Sequence, residues 1–382
     1  MTAPNELLLN NARLVLGNEV IHGHVLLRDG LVAGIGHGPS QVPGAVDLRG
    51  DLLLPGLVEV HTDNLERHVM PRPKVYFPMQ SAVQSHDAEI AAAGITTVLD
   101  AIGVGDPYGD GFRSRDQSAL LDVLDRLEAA GALRADHLIH VRCELPAPNA
   151  QALFEPFARH ARLRLISLMD HTPGQRQWTD VEHARIYYTG KKGWSDTRFD
   201  EEVRIAPQRQ AQYAVPNRAW FTAFAKDHGV ALATHDDTTL AHVDEAHALG
   251  ASMSEFPTTM DAARHARSLG LSTVAGAPNV VRGGSHSGNV AALDLAKAGV
   301  LDALSSDYVP SSLLQAAWKL QSDAGFSLPE AVKVVSRAPA LACGLHDRGE
   351  IAIGLKADVV RVVEVGGLPT VREVYRAGRR IT

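Results

Sequence analysis

The first fifty residues alternate short apolar runs with turn-forming groups. In ELLLNNARLVLGNEVIHGHVLLRDGLVAGIG, the groups NN, GN and RDG separate segments of four to seven residues. That spacing predicts a small β-meander. The final stretch, RGEIAIGLKADVVRVVEVGGLPTVREVYRAGRRIT, has the same texture and no helical period. Two β-rich ends around a different middle predict one small β-sandwich built from both chain ends, residues 1–54 and 345–382.

The middle, residues 55–344, alternates strand-like and helix-like text. Strands are expected at 57–63, 96–101, 137–145, 163–170, 230–235, 251–256, 271–276 and 301–307, which makes eight. Amphipathic stretches such as SALLDVLDRLEAAGAL, NRAWFTAFAKDHG, TLAHVDEAHALG and NVAALDLAKAG lie between them and contain or end in Gly, as helix termini often do. The expected class is therefore α/β, a (β/α)8 TIM barrel with its active site where the strands end. Residues 172–215, rich in charge, Gly and aromatics, are too long for an ordinary connection. They read as a functional loop with a helix of its own.

Composition narrows the picture without redirecting it. The 382 residues are 45% hydrophobic and 21% charged, a globular profile long enough to bury a large core. With 37 basic against 44 acidic residues the net charge is −7, which disfavours nonspecific binding to nucleic acid or to anionic membrane. Cys143 and Cys343 form no CxxC pair and no disulfide framework, and a reducing compartment is expected. The start MTAPNELLLNNARLVLG lacks a basic, apolar leader, and no run of 18 apolar residues occurs, so the expected location is cytoplasmic.

The chemistry is concentrated at the ends of the expected strands. LVEVHTDNLERHVMPRP, residues 57–73, packs His61, Asp63, Glu66 and His68 into one short stretch. Simple alternation would put Glu59, His61 and Asp63 on one strand face and Val58, Val60 and Thr62 on the other. Further strands end in Asp100, Glu144, Asp170 with His171, His235 with Asp236 and Asp237, Glu255, and Asp307. One such group has a plain account as a solvated strand end. Six or more at one mouth would repel or demand desolvation without a cation among them. Imidazole and carboxylate ligands without thiolate suit one or two divalent ions such as zinc, manganese or iron. Cys143 should face away, since Arg142 and Glu144 share the opposite face.

Other stretches suit an anionic substrate. GAPNVVRGGSHSGN, residues 276–289, joins glycines and backbone amides with Arg282, Gly283, Gly284, Ser285, His286, Ser287 and Asn289. It can cradle phosphate oxygens, or it can simply turn a strand into a helix. Arg142, Arg176, Lys191, Lys192, Arg72 and Lys74 add positive charge near the expected mouth, though each alone reads as a solvated cation. His86, His242 and His247 are expected to be structural.

Taken together, PGLVEVHTDNLERH, GITTVLDA, VRCELP, SLMDHTPGQRQ, THDD, EFPTT, GAPNVVRGGSHSGN and LSSDY resemble the amidohydrolase superfamily, in the same order and over almost the whole chain. Within it they are similar to the branch that hydrolyses a ribosyl triphosphate in phosphonate catabolism. The resemblance implies a barrel with a flanking β-sandwich, a metal centre at the strand ends and hydrolysis by metal-activated water. It implies metal ligands at His61, Asp63, Glu144, His171, His235 and Asp307, with Asp307 also the base. His-Thr-Asp replaces the commoner His-x-His of the first strand. Glu144 replaces a carboxylated lysine as bridging group, and Glu255 stands where a sixth-strand His is common.

The implied reaction takes α-D-ribose 1-methylphosphonate 5-triphosphate to the 5-monophosphate and pyrophosphate. Arg142, Arg176, Arg282 and residues 283–287 are the expected substrate contacts. A cyclic-amide hydrolase or deaminase on the same scaffold would need an amide-reading pocket instead. A noncatalytic assembly partner would have lost the ligands, which are present. The expected partner is a phosphorylated ribose, with no nucleic acid and no membrane, and self-association is left open.

Overall fold

The computed structural model describes residues 6–72, 75–108, 118–190, 193–285 and 288–382. Strands β1 (Glu6–Val15), β2 (Val20–Arg28), β3 (Leu31–His37), β4 (Val46–Asp47) and β5 (Leu52–Pro55) open the chain. The barrel strands follow as β6 (Leu57–Thr62), β7 (Ile95–Val104), β8 (Asp136–Glu144), β9 (Leu163–Met169), β10 (Ala231–His235), β11 (Met253–Glu255), β12 (Ser272–Gly276) and β13 (Ala303–Ser305). The chain closes with β14 (Val359–Val365), β15 (Leu368–Arg376) and β16 (Arg379–Arg380).

The outer strands form one sheet in the order β16-β15-β14-β5-β1-β2-β3, with β4 paired to β1. The two chain ends meet at β5 and β14, antiparallel, with Leu52 opposite Val362. Alternation gives this sheet two apolar faces. Leu53 and Val359 share a core with Leu9, Leu14, Val25 and Tyr375. Leu52, Leu54, Val360 and Val362 turn the other way and pack on the barrel's helices.

Strands β6 to β13 are parallel neighbours in sequence order. A bridge between Thr62 and Asp307 brings the last strand back to the first, so the sheet is an almost closed barrel. Its interior carries an apolar layer from every strand: Val58 and Val60, Leu99, Leu138, Leu165, Ala233, Met253, Val274 and Ala303, with Ala340, Cys343 and Leu345 beside them. Moving two residues toward the C-terminal end keeps a side chain on the same face. That step leads from Leu138 to His140, Arg142 and Glu144, from Ala233 to His235, and from Met253 to Glu255.

Three expectations change here. Strand β6 does not alternate simply. Its register against β7 shifts between Leu57 and Val58 and again between Glu59 and Thr62, so Val58 and Val60 join the interior layer while His61 still reaches the mouth. Asp100 is not at a strand end, because β7 runs on to Val104. Its carboxylate turns outward to His86 and His137. Residues 172–215 hold two helices rather than one: Val181–Gly190 and the first part of a 33-residue helix, Asp196–His228, that passes through Pro207 and Pro216. Trp178, Tyr188, Trp194 and Phe199 give this region an apolar cluster of its own.

Cys143 is fully buried among residues that pack on the helices, as its strand face requires. Among the described residues no helix is long and apolar enough to cross a membrane.

Candidate metal centre

The barrel mouth gathers imidazoles and carboxylates from six strands. Three groups each place ligand atoms within 4.8 Å of one another: His61 with Asp63 and Asp307, His61 with His235 and Glu255, and His171 with His235 and Asp236. Sharing His61 and His235 links the three into one continuous cluster. All of its members are buried except Asp63, His171 and Asp307, which are half-buried.

Glu255 is fully buried at its centre, with Oε1 3.1 Å from His61 Nδ1 and Oε2 3.4 Å from His235 Nδ1. The His61 and His235 rings stack at 5.5 Å, and Phe256 stands edge-on to both. Glu144 accepts from the backbone N–H of His171 at 2.9 Å and faces its Nδ1 at 2.5 Å. Asp63 and Asp307 are tied through the backbone, the Asp63 N–H donating to the Asp307 carbonyl at 2.9 Å. Below them Glu59 accepts from the N–H groups of His61 and Ser306 at 2.7 and 2.6 Å.

The backbone here is shaped for the site. Asp236, Phe256 and Asp307, each just past a strand end, have positive φ of 56°, 54° and 53°. Non-glycine residues adopt that conformation at a cost of about 1–3 kcal/mol each, and such outliers concentrate at functional sites.

The electrostatics favour a bound cation. Burial lowers His235 and His140 to about 3, so both imidazoles are neutral and keep a lone pair for a ligand or a hydrogen bond. Burial raises the Asp236 carboxyl to about 7, outweighing the partial compensation from His171, Arg176 and Arg142. Glu59 is raised to about 7 for the same reason. Burial also works against Glu255, but the facing His140 and His235 outweigh it and hold that carboxyl below its ordinary value. A donor set of imidazole and carboxylate without thiolate fits a divalent ion of the zinc, manganese or iron kind.

The expected ligands His61, Asp63, His171, His235 and Asp307 are brought together, and Glu144 adjoins them through His171. The expected substrate contacts are placed less uniformly. Arg142 is buried at the mouth, its Nη1 donating to Asp63 Oδ1 and its Nε enclosed without a hydrogen-bond partner. Arg176 Nη1 donates to the His235 carbonyl and to Asp237 Oδ1, both at 2.8 Å. Its guanidinium braces the end of β10. Arg282 is exposed at the end of the short helix Ala277–Arg282. The N–H groups of Gly283 and Gly284 donate to the Asn279 carbonyl and end that helix, so these two amides are not offered to phosphate. Ser285 is half-buried, and His286 and Ser287 lie outside the described residues, as do Lys74, Lys191 and Lys192.

Asp170 accepts from Gln210 and Asp237 from Thr234, Ser254 and Arg176, which accounts for both as structural. His140 is the residue that sequence reasoning overlooked. It lies two positions before Arg142 on the same strand face, with Nδ1 2.9 Å from the Val60 carbonyl and Nε2 2.8 Å from Ser167 Oγ. The alternation that exposed Arg142 and Glu144 was signal enough to find it.

The Amidohydrolase family pattern matches residues 52–381. The chain is 44% identical to the α-D-ribose 1-methylphosphonate 5-triphosphate diphosphatase of Escherichia coli (strain K12), covering 98% of this chain and 100% of that one. Its fold is similar to molinate hydrolase, with a TM-score of 0.68, 14% identity and coverage of 100% and 95%. It is also similar to N-isopropylammelide isopropylaminohydrolase from Burkholderia multivorans ATCC 17616, with a TM-score of 0.65, 18% identity and coverage of 98% and 97%.

Proposed function

The chain belongs to the amidohydrolase family, and from that premise we propose that it is the metal-dependent hydrolase that takes α-D-ribose 1-methylphosphonate 5-triphosphate to the 5-monophosphate and pyrophosphate. The observation that carries the reading is Arg142. A buried guanidinium with an unpartnered Nε stands directly beside a linked cluster of metal-suited side chains. A phosphoryl oxygen satisfies that donor, and a charge-assisted bond of this kind is strong where water is excluded. A neutral amide or ring substrate would bring no anionic oxygen to that donor, which disfavours the cyclic-amide and deaminase alternative.

One or two divalent ions would sit at the mouth, where His61, Asp63 and Asp307 would hold one position and His171, His235 and Asp236 the other. Glu255 adjoins both through His61 and His235, and Glu144 adjoins the second through His171. When bound, such an ion supplies Lewis acidity and brings the pKa of water toward neutrality. Asp307 accepts the proton of the attacking water. The new P–O bond forms at the α-phosphorus while the bond to the departing pyrophosphate breaks. Arg142 and Arg282 neutralise charge on the phosphoryl oxygens and the leaving group.

The test is product analysis of the purified protein with this ribosyl triphosphate. Equal amounts of 5-monophosphate and pyrophosphate are expected. Stepwise release of single phosphates, or turnover confined to cyclic amides and aminated rings, would overturn the proposal.

A further inference from the structure

An open cleft of about 650 Å³ lies beside the candidate metal centre, within the range of small-molecule sites. It is formed by the segments that follow β9, β10, β11 and β12. Gln177, Thr179, Thr238, Thr258, Thr259 and Asn289 supply most of its polar lining. Two bonds tie it to the metal-suited cluster: Thr238 Oγ1 donates to the Asp236 carbonyl at 3.1 Å, and Arg176, also in the lining, donates to the His235 carbonyl.

The lining is close to electrically neutral. The Arg176 guanidinium is committed to Asp237, and His183 stands 3.9 Å from Asp180. The threonine hydroxyl protons are also committed. Thr179 donates to the Arg176 carbonyl at 2.8 Å, Thr258 to Thr238 Oγ1 at 2.9 Å and Thr259 to the Thr238 carbonyl at 2.9 Å. What these hydroxyls still offer is lone pairs. A phosphate oxygen only accepts and finds no donor in them, whereas a sugar hydroxyl donates and does. The carboxamides of Gln177 and Asn289 have no hydrogen-bond partner among the described residues and supply both donors and acceptors.

We infer that this cleft seats the ribosyl ring, with its hydroxyls on the threonine oxygens and on the Gln177 and Asn289 carboxamides. The triphosphate is then left to the side of the mouth that carries Arg142. The assignment rests on the proposed function and adds which part of the substrate each side reads.

The experiment uses Gln177→Ala and Asn289→Ala, neither of which breaks a side-chain hydrogen bond among the described residues. It measures KM for the ribosyl triphosphate together with inhibition by inorganic tripolyphosphate, which has the phosphate chain and no sugar. Each variant should raise KM about three- to tenfold, the effect of one neutral hydrogen bond, and leave the tripolyphosphate inhibition constant within about twofold. An unchanged KM in both variants overturns the cleft assignment. KM and the inhibition constant rising together also overturns it, since the cleft would then be reading phosphate. A parent enzyme inactive on the ribosyl triphosphate removes the proposed function and the cleft assignment with it.

Discussion

Arg142 and Asp63 meet across the barrel mouth, Nη1 to Oδ1 at 2.5 Å, and so join the third barrel strand to the end of the first. One cation thereby holds a metal-suited carboxylate through one nitrogen while its enclosed Nε has no hydrogen-bond partner. Arg142→Gln removes that cation. Loss of a charge-assisted bond of roughly 1.5–3 kcal/mol should lower kcat/KM on the ribosyl triphosphate by about 10- to 100-fold. Steady-state kinetics checks this, and a variant equal to the parent would free Arg142 from any part in binding.

Metal content depends on the residues shared between groups. His61 and His235 each belong to two of the three ligand groups at the mouth, so His61→Ala and His235→Ala should each reduce bound divalent ion more than a change at any unshared position such as Asp236→Asn. Elemental analysis of dialysed protein, with circular dichroism to match folding, decides it. Full occupancy in both histidine variants would contradict the assigned ligands.

In the proposed mechanism Asp307 would hold an ion and take a proton, and an amide of the same shape does neither well. Asp307→Asn should slow single turnover by about 10²- to 10⁴-fold from the loss of the base alone. Run in water enriched in heavy oxygen, the parent should place label in the 5-monophosphate. Label in pyrophosphate instead would move the attack away from the α-phosphorus.

A stability effect is expected on the outer wall of the barrel. Burial would lower the His137 imidazole, but Asp100 and Asp87 outweigh it and raise it to about 9, above its ordinary 6.5. A raised native pKa means that the folded state holds the proton more tightly. The resulting stabilisation is complete below 6.5 and disappears as pH rises through about 9. The parent's denaturation midpoint should therefore fall over that interval. Asp100→Asn should flatten this part of the profile, and parallel profiles for the two proteins would count against the pair.

Much of this architecture was legible because the barrel's strand ends carry their own chemistry. All eight expected strands have counterparts, and six of them end at or just before a His, Asp or Glu. Asp100 misled because β7 is buried on both faces along its whole length, which erases the polar alternation that would mark its end. The long helix Asp196–His228 was hidden by Pro207 and Pro216, residues that ordinarily interrupt a helix. The charge of Arg176 can be read from the sequence. Its engagement with Asp237, sixty-one positions away, cannot.

The pairing of β5 with β14 also bears on how the chain is made. Leu52 and its partner Val362 are 310 positions apart. At about 5–20 residues per second a ribosome needs roughly 15–60 s to bridge that interval. Throughout that time β5 has no neighbour on its β14 side. An unpaired, apolar strand edge is a template for pairing with another chain, so the interval between synthesis of Pro55 and synthesis of Val359 leaves that edge of the nascent protein open to wrong partners.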